Sequence, residues 1–382
     1  MNTMMRKIGA LKLTAVSMLF VIISTNGFAQ DLYLLAGTYT GTGSKGIYVY
    51  RFNTATGKTA WISNTDTASN PSFLTVSGNY VYAVNETSGS KPGQVSAYKF
   101  DKEKGTLQLL NTQLTGGGNP CYLSLSPEGK WLTVANYSGG SLSVFPVNKD
   151  GSLQPCAQLI LHTGNSINTK RQSQAHVHET VFSPDSKYLF TPDLGMDKVM
   201  TYQFDAGVPQ PLSAASTNYT IIKPGSGPRH IVFSANKKYA YLINELSGMV
   251  IVYNYNKGEL SEIQELPTYP EGFKGAVDGA EICLAPDGKF LYTSQRADEN
   301  LISIFSIDKH SGKLKIKEQQ PAFGKGPRNF MIDPTGNYLL VAHQNSDNIV
   351  IFKRDKKSGL LTNTGDEIKV PKPVCLVMTK TE

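Results

Sequence analysis

Gly227-Pro228-Arg229-His230-Ile231-Val232-Phe233, then a short polar turn, then Tyr239-Ala240-Tyr241-Leu242-Ile243-Asn244-Glu245 is the stretch that decides the fold. The phrase returns as Gly326-Pro327-Arg328-Asn329-Phe330-Met331-Ile332, followed by Tyr338-Leu339-Leu340-Val341-Ala342-His343. Weaker copies recur along the chain at a period of about 50 residues, the mark of a repeat architecture. Each copy reads as an apolar strand, a tight turn and a second apolar strand. One such unit cannot bury both of its faces, so the copies must pack on one another.

Working outward, seven first strands open at Pro71, Pro120, His178, Arg229, Ala280, Arg328 and Pro373. The turns that follow include Ser126-Pro127-Glu128-Gly129, Ser183-Pro184-Asp185-Ser186, Ala285-Pro286-Asp287-Gly288 and Asp333-Pro334-Thr335-Gly336. Proline, then a polar residue, then glycine is hairpin chemistry. A third strand and a shorter fourth strand also recur, with almost no helical periodicity. The pattern predicts an all-β, seven-bladed β-propeller with four antiparallel strands per blade. The last copy supplies only an inner strand, whereas Leu32–Tyr39 and Gly46–Phe52 supply strands without one. N- and C-terminal strands are therefore expected to share one blade and close the ring, which removes long exposed sheet edges.

Residues 1–29 read as a signal peptide, and residues 30–382 as one propeller domain. Arg6 and Lys7 precede an apolar run from Leu13 to Ile23, and Gly27-Phe28-Ala29 has the small-x-small form of a cleavage site. The run is short for a membrane span. Export to the periplasm or the exterior is expected, with no stable membrane insertion after cleavage. Of the formal charge of +7, Arg6, Lys7 and Lys12 supply three units and the segment holds no acid, leaving about +4. That balance suits an acidic small molecule and lacks the dense basic footprint of a nucleic-acid binder. The four cysteines form no CxxC pair, which excludes the common zinc and thioredoxin patterns. Cys121, Cys283 and Cys375 fall in corresponding strands and are expected as small core residues. A propeller of this size is self-sufficient, so a monomer is expected.

In a propeller the first strand of each blade lies nearest the axis. Its start and the end of the antiparallel second strand share one face. The starts here are Ser72, Cys121, His178, Arg229, Ala280 and Arg328. The ends are Asn85-Glu86, Asn136-Tyr137, Asp193-Leu194, Asn244-Glu245, Gln295-Arg296 and His343-Gln344. A purely structural repeat would reuse one residue type, and these positions do not. Convergent arginines bind carboxylate or phosphate through a rigid fork of donors. A histidine or glutamate beside them can move protons near neutral pH. His176-x-His178 could form half of a metal site, but no third ligand lies nearby. Asn136, Asp193 and Asn244 offer hard oxygens of the calcium type. Glu86 and His343 are supporting candidates, and the abundant tyrosines read as blade core.

The chain resembles the seven-bladed propeller lactonases, the family of propeller-type 6-phosphogluconolactonase and carboxymuconate-lactonising enzyme. The likeness rests on His178 before Glu-Thr-Val-Phe-Ser-Pro, on Gly227-Pro228-Arg229 with Tyr-Leu-Ile-Asn244-Glu245, and on Ala280-Glu281-Ile282-Cys283 with Ser294-Gln295-Arg296-Ala297. It spans nearly the whole mature chain. The resemblance implies hydrolysis of a sugar-derived lactone or acidic sugar, with no cofactor and no metal. It implies His178 and Glu245 as the catalytic acid–base pair, in either order, and Arg229 and Arg296 as substrate-binding residues. Arg328 repeats the Gly-Pro-Arg phrase and joins them as a third anion-binding candidate. Lactonisation of an unsaturated dicarboxylate, and a non-enzymatic exported binding propeller, are the alternatives.

Overall fold

A computed structural model describes residues 31–381, apart from 42 and 88–91. The signal peptide expected at residues 1–29 lies outside the described residues. Seven four-stranded antiparallel sheets form the ring. Blade 1 takes its inner strand, Pro373–Lys380, from the C-terminus, and the strands Asp31–Thr38, Ile47–Asn53 and Thr59–Thr65 from the N-terminus. Leu32 pairs with Lys380 and Gly37 with Cys375, so the termini close the ring through a hydrogen-bonded ladder. Blades 2 to 7 follow in chain order, with inner strands Leu74–Ser77, Pro120–Leu125, Val181–Phe182, Pro228–Phe233, Gly279–Leu284 and Pro327–Ile332.

The strand sequences explain the packing. Second strands such as Tyr239–Asn244 and Tyr338–His343 are buried along their whole length, because both faces meet a neighbouring blade. The apolar core is accordingly a set of clusters between blades. Phe290, Tyr292, Phe330 and Phe352 join blades 6 and 7, and Tyr50, Phe52, Tyr338 and Ile351 join blades 7 and 1. Tyrosine hydroxyls in these layers find backbone acceptors across blades, as Tyr241 and Tyr292 do at Gly312 O (3.0 Å) and Gly359 O (2.6 Å). On the far face the hairpin turns need a left-handed residue. Gly129 and Gly288 supply it at φ +68° and +66°, and Ser186 and Lys237 adopt the same conformation at φ 61° without glycine's freedom.

Five inner strands share a departure from the plain ladder, and it falls at their starts, where the candidate site residues lie. Pro228 pairs with Asn244, but the next pair is His230 with Ile243, so Arg229 is an extra residue. The same slip occurs between Pro120 and Tyr122, between Pro327 and Asn329, between Gly279 and Ile282, and between Pro373 and Cys375. These are β-bulges, which re-aim a side chain at the cost of local pairing. Proline at four of the five sites removes a ladder donor just where pairing stops. In blade 4, where a strand from His178 was expected, regular pairing begins only at Val181. His178 N is held instead by Pro192 O at 3.0 Å.

Candidate active site

The bulges deliver Cys121, Arg229 and Arg328 to the axial end of the ring. There they meet His178 and the residues that follow the second strands. The two-residue phrases at those strand ends divide their labour. The first member stays between blades: Asn136 Nδ2 donates to Ser141 Oγ (3.1 Å) and Ser143 Oγ (2.8 Å), and Asp193 accepts from His162 Nδ1 (2.7 Å) and His176 N (2.8 Å). Asn244 is also fully buried. Of the hard-oxygen set, only Asp193 is spent on structure; Asn136 Oδ1 and the Asn244 side-chain amide have no hydrogen-bond partner among the described residues. His343 is likewise packed against Gly324, and its ring nitrogens have no partner among the described residues. It does not support the site. The second members, Glu86, Tyr137, Glu245 and Arg296, carry the site's polar chemistry.

Glu245 is the hub. Its Oε2 accepts from Arg229 Nε at 3.1 Å and forms an ion pair with Arg296 Nη2 at 3.0 Å. Its Oε1 accepts from Arg171 Nη2. His178 Nε2 lies 3.7 Å from Oε2, a charge contact rather than a hydrogen bond. Burial alone would raise the Glu245 pKa, but Arg296, Arg229 and Arg171 overcome it and hold the carboxyl below its ordinary value. Arg296 also donates to Asp278 Oδ1 at 2.6 Å, and its buried Nε has no acceptor among the described residues. Arg229 donates from Nη1 to Ala280 O at 2.6 Å. Burial and then Arg296 and Arg328 lower its pKa to about 10, so it stays cationic at neutral pH.

His178 is neutral for the opposite reasons. Burial and then the charges of Arg229, His230, Arg328 and Arg296 push its pKa well below the ordinary 6.5. Cys121 Sγ lies 3.9 Å from its Nδ1, and Tyr137 meets its ring edge-on with centroids 5.5 Å apart. Cys121 is buried in a small cluster with Ala135 and Val177, as expected, and also borders His178; Cys375 sits in an inter-blade core cluster and Cys283 packs against another. His176 turns away from His178. It stacks on Tyr137 at 4.3 Å, and its Nδ1 lies 2.9 Å from Tyr137 O.

On the other side of the axis Arg328 lies over the Tyr39 ring, with its guanidinium carbon 5.6 Å from the centroid. Tyr39 OH donates to Glu86 Oε2 at 2.9 Å. Arg328 has no ion pair among the described residues, yet its charge is felt at His178 and Arg229. It is the guanidinium left without a carboxylate.

Sequence reading missed Arg171. It lies in the non-repeating segment 162–177 between blades 3 and 4, which lays Arg171 across the pocket mouth. Gln172 anchors that segment, donating to Leu194 O (2.9 Å) and Asp197 Oδ2 (2.8 Å). The segment passes so close to Gly195 that a Cβ there would lie 1.8 Å from Gln174 O. Its one sequence signal is a break in the period that carries an arginine among Asn, Gln and His. Tyr39 was also missed, because the tyrosines read as blade core; Tyr137 falls at a second-strand end in the sequence but is given no role there.

Three buried neutral imidazoles make stability depend on pH. The values of His230 and His343 are lowered by burial to about 4, and that of His178 is lowered well below 6.5 by burial and the neighbouring arginines. Below 6.5 the unfolded chain binds protons that the folded chain does not. Stability is complete above that value and falls as pH falls toward the folded-state values. Between pH 7 and 5 each of His230 and His343 should cost about 1–2 kcal/mol. Thermal melts are expected to drop over that range, and His343→Asn should show a smaller drop than wild type. Equal drops would contradict this.

The comparisons agree with the geometry. The family model "Lactonase, 7-bladed beta-propeller" matches residues 33–378. A 6-phosphogluconolactonase of Formosa agariphila is 41% identical over 328 residues, covering 85% of this chain and 93% of its own. A 6-phosphogluconolactonase of Bacillus subtilis is 36% identical over 344 residues, covering 89% and 96%. The solved periplasmic gluconolactonase of Pseudomonas aeruginosa superposes with a TM-score of 0.88 at 39% identity, over 92% of this chain and 100% of that one. With the bulged inner strands, the ring closure and these matches taken together, the chain belongs to the seven-bladed β-propeller lactonases.

Proposed function

We propose that the protein hydrolyses a sugar-derived lactone at the axial pocket. The observation that carries this reading is His178 set 3.7 Å from a carboxylate already claimed by three arginines. The Glu245 oxygens are occupied by those arginines, whereas the His178 ring makes no close hydrogen bond and keeps a nitrogen lone pair free to accept a proton. His178 takes a proton from water as the water oxygen attacks the lactone carbonyl. The carbonyl oxygen becomes an oxyanion and meets guanidinium N–H groups of Arg229 and Arg296. Fixed donors in a water-poor site act most strongly where charge develops. The tetrahedral intermediate collapses, the C–O bond to the ring oxygen breaks, and imidazolium returns its proton to the leaving alkoxide. The product is the open hydroxy acid. Glu245 keeps the arginines apart and steadies the imidazolium from 3.7 Å.

Arg328 takes the acidic or most polar end of the substrate, since it has no carboxylate of its own. Arg328→Ala is expected to raise KM for an anionic lactone about tenfold, a loss near 1.4 kcal/mol. Its kcat, and KM for a neutral lactone, should change far less. Equal effects on both lactones would remove Arg328 from anion recognition. The signal-like N-terminus and the periplasmic relative support an exported enzyme acting on an extracytoplasmic sugar lactone. Hydrolysis of gluconolactone and 6-phosphogluconolactone, followed side by side by pH-stat, tests the reading and ranks the two substrates.

A further inference from the structure

One residue beyond the first-strand starts of blades 4 to 7 lies a second buried tier of polar residues. It contains Glu179, His230, Glu281 and Asn329. Burying a carboxylate there is costly unless its oxygens are satisfied. Glu281 is fully satisfied. It accepts from His230 Nδ1 at 2.9 Å, from Ile282 N at 3.0 Å and from Asn329 Nδ2 at 2.5 Å. Asn329 Oδ1 in turn accepts from Leu376 N at 2.8 Å. The chain of bonds crosses from blade 5 to blades 6, 7 and 1.

Its upper end is Arg229. The Nη1 atom lies 3.2 Å from both ring nitrogens of His230. An atom equidistant from both nitrogens lies against the Nδ1–Cε1–Nε2 part of the ring rather than along one lone pair, so the guanidinium packs on an imidazole that Glu281 holds in place. The guanidinium is therefore fixed from three directions, by Glu245 at Nε and by Ala280 O and His230 at Nη1.

We propose that the Glu281–His230 pair is a positioning device for Arg229, holding its N–H groups where the lactone oxyanion forms. Neither residue touches substrate. This rests on the lactonase reading above. A displacement of about 1 Å in a positioned group can cost up to about 10²-fold in rate. Glu281→Gln turns one acceptor into a donor, which opposes Asn329 Nδ2 or loosens His230.

The test is a double-mutant cycle with thermal melts on every variant. In the wild-type background Glu281→Gln is expected to lower kcat about 10–100-fold with KM within about twofold. In an Arg229→Ala background the same change should alter kcat by less than about twofold, because its target is gone. Adding Asn329→Asp to Glu281→Gln restores donor to acceptor and should recover most of the lost kcat. Should Glu281→Gln fail to fold, His230→Gln, which keeps a donor toward Glu281, is read in the same cycle. The proposal is overturned if a folded variant keeps kcat within twofold, or loses the same factor in both backgrounds. If wild type hydrolyses no lactone, the lactonase reading fails first and takes this proposal with it.

Discussion

His178→Ala is expected to lower kcat by about 10²–10⁴-fold, the range typical of a lost general acid–base group. The fold should survive, because the ring of His178 makes no strong hydrogen bond: its nearest polar neighbours are Cys121 Sγ at 3.9 Å and Glu245 Oε2 at 3.7 Å. A packed core histidine would give the reverse result, lower stability with rate intact. The pH profile adds a second check. Because burial and the neighbouring Arg229, Arg328 and Arg296 depress the His178 pKa, kcat/KM should hold through mildly acidic pH and fall only well below 6.5. A fall centred near 6.5 would mean that the imidazole is more open to water than its burial indicates.

The second large effect is expected at Glu245. Glu245→Ala leaves Arg171, Arg229 and Arg296 facing one another without their shared counter-ion. Removing one partner of a buried ion cluster costs about 3–5 kcal/mol. The melting temperature should fall strongly, and activity should be lost with it. An anion-binding site would be created where the carboxylate stood. Phosphate or acetate should therefore raise the melting temperature of Glu245→Ala more than that of wild type. Equal shifts in both proteins would show that the arginines do not converge as described.

The ring was legible because its signals repeat. The Gly-Pro-Arg phrase, the Pro-polar-Gly turns and the unpartnered strands at both ends each pointed to seven blades. The paired termini bear this out. His178, Arg229, Glu245 and Arg296 were legible because blade geometry sends strand starts and strand ends to one face, and they do meet there. The misses have physical causes. Arg171 belongs to no repeat position, so no alignment of blades could place it. The second tier depends on the bulges, because a one-residue slip turns side chains to the other face. Without knowing of the slip, His230 and Glu281 look like members of an ordinary alternating strand. Tyr39 and Tyr137 share the spacing of blade-core tyrosines and differ only in lying at strand ends. His343 failed for the complementary reason: it ends a second strand but holds the inward slot of its two-residue phrase.

The most direct test of lactone hydrolysis at the axial pocket is a pH-stat comparison of wild type and His178→Ala on gluconolactone, 6-phosphogluconolactone and a muconolactone, with both proteins shown to melt alike. Hydrolysis of at least one sugar lactone by wild type, reduced about 10²-fold or more in the variant, is the expected result. Equal turnover by both proteins, or no turnover of any lactone, would contradict it.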